Sequence, residues 1–429
     1  MKKNQALENP YLLFLPFLIA FLIYIIINPT NGTSGDEARY LLYANNLMNG
    51  YYSPPGAVSL INGPGYPIIL VPFLALGLPL ITLTLLNAFF YYFSIVLLFK
   101  SLRELVSFNL TVIFSFAWAC YLVAYVGLVS IVTETFTFLL VTLLIYSIVK
   151  LFKQSKSNVK TKYLILAGFF LGYLVLTKMI FGYVVLFLVG WNLLLWLWSR
   201  KSPCYKKGLI ITGIALLTTA PYLLYTYNLT GRLFYWGMGS DSLYWMSSPD
   251  KNEYGDWTQQ LVLNPTVYAN YNIYGADSLL VANHQKDFDE LDKYKGIERD
   301  DLFKELAIRN IKAHPVKYAQ NVVYNMGRLL FNYPYSQAIQ KPKYLLIFPI
   351  NAILLTLMLF SLIPTVINWK RIPFYLKFLL IMVFLYLGAS ALVSASVRMF
   401  TIIVPVLLLW IAFVFQNTVQ VKFKFDEDK

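Results

Sequence analysis

Apolar runs of about 18 residues or more recur along the whole chain, separated by short polar breaks, and at that length they predict helices rather than strands. Reading the runs and their breaks places ten spans, at roughly 11–28, 79–99, 109–129, 134–152, 162–178, 180–198, 208–227, 343–366, 373–393 and 399–418. Each can cross about 30 Å of hydrocarbon as a helix. The stretch from Tyr66 to Gly77 is apolar but short and rich in Pro and Gly, so it reads as a re-entrant or interfacial helix. Counting it as a full span would invert everything after it. The long segment from about 228 to 342 breaks the alternation. It starts with aromatics (Tyr235, Trp236, Tyr244, Trp245, Trp257) among Gly, Ser and Asp, passes through a charged, helix-like stretch from Asp287 to Arg309, and ends in an amphipathic pattern from Pro315 to Tyr333.

Composition supports lipid as the solvent: 58% of the residues are hydrophobic and 13% charged, against about 25% charged in a soluble domain. The net charge of +14 does not point to nucleic acid, because the basic residues sit in the short breaks and not on one exposed face. With Lys2 and Lys3 inside, the even breaks and the C-terminal tail collect 19 of the 35 Lys and Arg on one side, as the positive-inside rule requires. Another 13 lie between about 228 and 343, balanced there by 13 acids. Three cations remain, Arg39, Lys178 and Arg398, and all fall at the opposite, external face with Asp36, Glu37 and Glu134. Any one of them could snorkel to headgroups. Six charges converging from four loops favour a functional site instead. The expected fold is therefore an all-α polytopic membrane protein of about ten transmembrane helices, with external juxtamembrane helices and a mixed external loop region. Residues 1–227 form an N-terminal membrane module with an uncleaved first span and a functional first external loop (29–66). Residues 228–342 form the external region, and 343–429 the last helices and a cytoplasmic tail, so both termini are cytoplasmic.

The sharpest motif is Gly35-Asp36-Glu37-Ala38-Arg39-Tyr40, ahead of a helical pattern from Leu41 to Asn49. Adjacent carboxylates raise one another's pKa and a nearby arginine lowers it, so the pair can be tuned as base and binding group. The same residues also suit a helix N-terminus, where the dipole favours acids. Cys120 and Cys204 fall in unrelated contexts, and the two histidines, His284 and His314, lie far apart without a Cys partner, so neither a disulfide framework nor a zinc site is indicated. No phosphate-cradling Gly-x-x-x-x-Gly-Lys occurs.

Asp-Glu-x-Arg-Tyr in the first external loop, followed by a short helix and Asn62-Gly63-Pro64-Gly65-Tyr66-Pro67, resembles the polytopic glycosyltransferases of the C-type fold, in particular the protein O-mannosyltransferase and lipid A aminoarabinose transferase family. Thr133-Glu134 opening a span, Thr177-Lys178 ending one, His314-Pro315 before an amphipathic helix, and Arg398 with Pro405 in the last span agree with it. The resemblance implies a sugar donor linked through phosphate to a polyprenyl lipid, attacked by an acceptor hydroxyl with inversion at the anomeric carbon. Polyprenyl phosphate is a good leaving group, so one carboxylate base suffices, and the retaining pair is not required. Asp36 is the expected base. Arg39, Lys178 and Arg398 would bind the donor phosphate, while Glu37, Glu134 and Tyr66 would contact sugar, acceptor or a metal. The Glu-Lys-Pro element of the aminoarabinose transferase is absent between Ser53 and Pro67, so the carboxylate that would help hold a metal there has no counterpart and a metal requirement does not follow, although Glu and Asp oxygens can take a divalent cation weakly. The partners implied are the lipid-linked donor, an acceptor protein, lipid or glycan, and the bilayer, with no nucleic acid. The main rival is a transporter or flippase of polyprenyl-linked glycans, which would place ionisable groups along a central pathway and not at span ends. A bacterial inner membrane is the expected location, because the family is common there.

Overall fold

The computed structural model of the chain describes residues 9–30, 35–54, 58–153, 156–199, 202–233, 239–256, 276–336 and 345–418. The basic residues of both termini, Arg200 and Lys201, and the aromatics Tyr235, Trp236 and Trp257 lie outside the described residues. The elements run α1 (Pro10–Leu13), α2 (Leu15–Ile27), α3 (Gly35–Met48), α4 (Gly65–Ala75), α5 (Ile81–Arg103), α6 (Phe108–Ala119), a 3-10 helix (Leu122–Gly127), α7 (Glu134–Lys153), α8 (Ser157–Thr177), α9 (Ile180–Trp198) and α10 (Pro203–Thr230). They continue with α11 (Ser240–Met246), α12 (Ala276–Leu291), α13 (Gly296–Ala313), α14 (Pro315–Phe331), α15 (Ile347–Ile367), α16 (Phe374–Val393) and α17 (Val397–Thr418). No β-strand occurs among the described residues.

Eight of these helices, α5, α7 to α10 and α15 to α17, are long and apolar enough to cross a membrane. The chain is an all-α polytopic membrane protein. Two further predicted spans are present as pieces. Pro16 offers no N–H to the carbonyl of Leu12, so the first run splits into α1 and α2 around Phe14. The run at 109–129 leaves the α-helix at Ala119, and the carbonyls of Gly127, Leu128 and Ser130 turn to the side-chain amide of Asn87. The charged stretch from Asp287 to Arg309 is likewise two helices, α12 and α13, joined where Gly296 takes a φ of 56°.

The last helix is the axis of the bundle: from Phe400 to Ala412 its side chains are almost all buried. Around it, α8 packs on α10 through Gly168 and Gly172, where an added Cβ would lie 2.5 Å from the Ile214 Cβ and 2.6 Å from the Thr218 Cβ. Small residues four apart let two helices approach in lipid, where close van der Waals packing replaces the hydrophobic effect. Between α10 and α15, helices α11 to α13 enclose a second, smaller core of Tyr244, Trp245, Phe288, Leu291, Phe303 and Leu306. Tyr244 and Trp245 are therefore core residues. Beside them a buried polar group joins His284, whose Nε2 is 2.9 Å from Glu253, to the Tyr244 hydroxyl, 2.7 Å from its Nδ1. Helix α14 is amphipathic as its pattern indicates, with Val316, Val323 and Met326 exposed and Asn321, Asn325 and Arg328 buried against the protein.

Candidate active site

Three of the long helices begin or end at the same end of the bundle with a charged residue. Glu134 is the first residue of α7, Lys178 follows the end of α8, and Arg398 is the second residue of α17. Helix α3 lies across this end and presents Asp36 and Arg39, which share a face because they are three residues apart. The four elements bring five charges into one cluster. Asp36 accepts hydrogen bonds from Arg39 and, at 3.0 Å, from Nη1 of Arg398. The same Nη1 is 3.8 Å from Oε1 of Glu134, which also accepts from Lys178 Nζ at 3.1 Å. Glu134 is nearly enclosed, with 4% of its surface exposed, whereas 46% of the Arg398 side chain is open. The cluster can therefore be entered from the side of Arg398.

Two carboxylates face three cations here, leaving one positive charge at a partly desolvated site. Such a site favours an anion, and guanidinium and ammonium groups suit phosphate oxygens. Burial pushes the Asp36 carboxyl up, but the guanidiniums of Arg398 and Arg39 outweigh it and hold its pKa below the ordinary 3.8. Burial first, and then the negative charges of Asp36 and Glu134, push the hydroxyl of Tyr40 well above 10, so it stays a neutral hydrogen-bonding group.

The Asn62-Gly-Pro-Gly-Tyr66 segment is the brace of this cluster. Asn62 accepts from Arg39 Nε at 2.8 Å and donates to the Tyr40 hydroxyl at 3.1 Å, and its own carbonyl accepts from the Tyr52 hydroxyl at 2.7 Å. Gly63 and Gly65 press on the end of α8, where an added Cβ would lie 2.1 Å from the Leu176 carbonyl oxygen and 2.5 Å from the Thr177 Oγ1. Glycine at both positions lets the chain lie against the turn that delivers Lys178.

The structure brings together Asp36, Arg39, Glu134, Lys178 and Arg398, and sets two of the expected residues apart from them. Glu37 is turned away: its carboxylate accepts from the Ile131 N–H at 2.7 Å and from the Thr30 hydroxyl at 3.1 Å, pinning α3 to the loop before α7. Tyr66 is buried with its ring edge-on to Tyr40 at 5.3 Å, and forms a wall beneath the cluster. The charges also argue against a divalent cation. Asp36 and Glu134 are already paired with cations, and Glu37 is held elsewhere.

Two positioning residues carry no motif in the sequence. Asn87 is fully buried and donates to the carbonyls of Gly127, Leu128 and Ser130 while accepting from Thr135, which shapes the loop leading into Glu134. Asn325 donates to Ala391 O at 2.9 Å and Ser390 O at 3.2 Å, and accepts from Ala395 N at 3.0 Å and from Arg328 at 3.1 Å. It thus holds the α16–α17 turn from which Arg398 projects. The available signal was the spacing of Asn321, Asn325 and Arg328, which puts three polar groups on one stripe of an amphipathic helix. For a phosphate-bearing substrate turned over at this cluster, Asn325→Ala is expected to lower kcat/KM about 10- to 100-fold, because a displacement of about 1 Å at a binding group is enough for that. Initial rates on reconstituted protein of unchanged yield test it, and an unaltered kcat/KM removes Asn325 as a positioning residue.

No protein-family profile matches the chain, and no curated protein sequence matches it. Among solved structures it is similar to ArnT from Cupriavidus metallidurans bound to undecaprenyl phosphate, at 10% identity and a TM-score of 0.42, over 93% of this chain and 77% of that one. It is also similar to the archaeal oligosaccharyltransferase AglB from Archaeoglobus fulgidus, in complex with an inhibitory peptide and a dolichol-phosphate, at 13% identity and a TM-score of 0.48. That likeness takes in 96% of this chain and 53% of AglB, so the chain spans about half the length of the archaeal enzyme.

Proposed function

We propose that the chain is an inverting glycosyltransferase that moves a sugar from a polyprenyl-phosphate-linked donor to an acceptor hydroxyl at one face of the membrane. The observation that carries this reading is the Asp36–Arg398–Glu134–Lys178 cluster, a single carboxylate base beside cations at the ends of membrane helices. A lipid-linked phosphate enters such a site from the bilayer side, with its chain in hydrocarbon and its head among Arg398, Lys178 and Arg39. The cations stabilise the charge that grows on the phosphate as the glycosidic bond breaks. Asp36 takes the proton of the acceptor hydroxyl as its oxygen attacks the anomeric carbon from the side opposite the departing phosphate, which inverts the configuration. Arrival of the phosphate shares the charge of Arg398 that now holds Asp36 down, and so makes that carboxylate a better base when donor is present. Glu134 keeps Lys178 and Arg398 converged before the donor arrives. Positive-inside counting supports a site on the outer face of the plasma membrane, with the loops rich in Lys and Arg in the cytoplasm.

The test is transfer from a panel of polyprenyl-phosphate sugars by the full chain in vesicles. The expected result is release of polyprenyl phosphate and a product of inverted anomeric configuration. Absence of turnover with every donor, together with movement of labelled donor between leaflets, would establish the transporter instead.

A further inference from the structure

At the end of the bundle away from the charged cluster, a cavity of about 330 Å³ opens between α9, the start of α10 and the start of α16. Its lining mixes polar and apolar groups: Asn192, Tyr205 and Lys377 stand in it together with Trp369, Phe378 and Ile381. Asn192 is fully buried, its amide nitrogen donates to Leu188 O at 2.7 Å, and its Oδ1 accepts no hydrogen bond among the described residues. Gly208 leaves room for that oxygen, since an added Cβ there would lie 2.3 Å from it. That oxygen is a buried acceptor without a protein partner at the cavity wall, and it can take a hydrogen bond from a group that enters from outside the protein.

The charge around this cavity is one-sided. Among the described residues, 202–208 and 366–378 hold Lys206, Lys207, Lys370, Arg371 and Lys377 and no acid. The Lys377 ammonium lies 4.9 Å from the centre of the Trp369 ring, an amphipathic side chain suited to the headgroup level. Trp191 and Leu194 on α9 are exposed beside it and continue the apolar wall outward.

We propose that this cavity binds an anionic glycerophospholipid of the phosphatidylglycerol class. Its phosphate sits at Lys377, a headgroup hydroxyl donates to Asn192 Oδ1, and an acyl chain lies along Phe378, Ile381 and the exposed side of α9. A zwitterionic lipid gains less, because its own ammonium repels the surrounding cations. An isoprenyl phosphate offers the anion but lacks the glycerol hydroxyls.

The full chain in neutral detergent should be stabilised against heat by phosphatidylglycerol, and much less by phosphatidylcholine, phosphatidylethanolamine or a polyprenyl phosphate at equal concentration. Lys377→Ala should weaken the phosphatidylglycerol effect about tenfold, the loss of one charge-assisted contact, with Lys377→Arg retaining it. Asn192→Leu should weaken it less. In a Cys120→Ser background, the same lipid should slow maleimide labelling of Cys204, a free thiol lining the cavity, a readout that needs no Lys377 variant to fold. Equal stabilisation by all four lipids, a preference for the polyprenyl phosphate, an undiminished effect in Lys377→Ala, or unprotected Cys204 would each overturn the assignment. None of these readouts uses sugar transfer, so they stand or fall apart from the proposed reaction.

Discussion

Asp36→Asn is expected to lower sugar transfer about 10²- to 10⁴-fold, the range over which a positioned general base acts. The substitution keeps the shape but only one acceptor oxygen, so one of Arg39 and Arg398 keeps its hydrogen-bond partner and the other meets the amide nitrogen, while the group that takes the acceptor proton is gone. The expectation has an apparent difficulty. A carboxylate whose pKa is held below 3.8 by two guanidiniums is a weak base. Two consequences resolve it. At neutral pH Asp36 is wholly ionised in the donor-free protein, so none of it is lost to prior protonation. Donor phosphate then shares Arg398 and relaxes the hold. The sign of the pH dependence follows. Because the folded pKa is depressed, the contribution of Asp36 to stability is present above its unfolded value and is lost only as pH falls through the lower folded one. Transfer by the free enzyme should accordingly show no acid limb from Asp36 above about pH 5. Initial rates in vesicles at matched protein content decide the matter. Full activity in the Asn variant sinks the assignment of Asp36 as base.

Arg398→Ala is expected to have the second largest effect, about 10²- to 10³-fold in kcat/KM, comparable with removing one preorganised donor from an oxyanion site. Arg398 is the hinge of the cluster, since a single nitrogen reaches both Asp36 and Glu134. Its loss removes a cation from the departing phosphate and leaves the enclosed Glu134 to Lys178 alone. Because an interaction with leaving-group charge is made mostly in the transition state, kcat should fall along with kcat/KM. Arg398→Lys should restore part of the charge but not the two-way reach of a guanidinium. Unchanged donor KM and kcat in the Ala variant would place Arg398 outside the reaction.

Much of this site was legible from the chain because lipid is a severe filter. Charged groups in an apolar helix are expensive, so the cations left over after the basic breaks and the neutral segment were few enough to name. Arg39, Lys178 and Arg398 were those three, and they meet in one cluster. Glu37 shows where the reading stops. Adjacent to Asp36, it differs only in direction, and on a helix consecutive side chains point about 100° apart. Which of the two faced the cations depended on the roll of α3, and that roll is set by the Ile131 N–H and Thr30 hydroxyl that hold Glu37. Asn62 stands in a motif and Asn325 on a polar stripe, but what each of them holds, like the role of Asn87, is illegible for a related reason. Each acts by hydrogen-bonding backbone groups or side chains of another segment, and an asparagine carries no sign of which segment that is.

The sequence by itself determined eight full-length membrane helices and the ends of them that carry charge, since apolar length and the cost of burying ions act within one segment at a time, whereas it did not show that the runs at 11–28 and 109–129 break into pieces. Only the tertiary structure decided the pairings. Asp36 and Arg398 are 362 residues apart, and their contact depends on α3 crossing the end of a buried axial helix whose central place no local pattern records. That crossing is set by packing between segments, through Gly63 and Gly65 on α8 and Asn325 at the α16–α17 turn, where clearances of a few ångströms settle which charges meet.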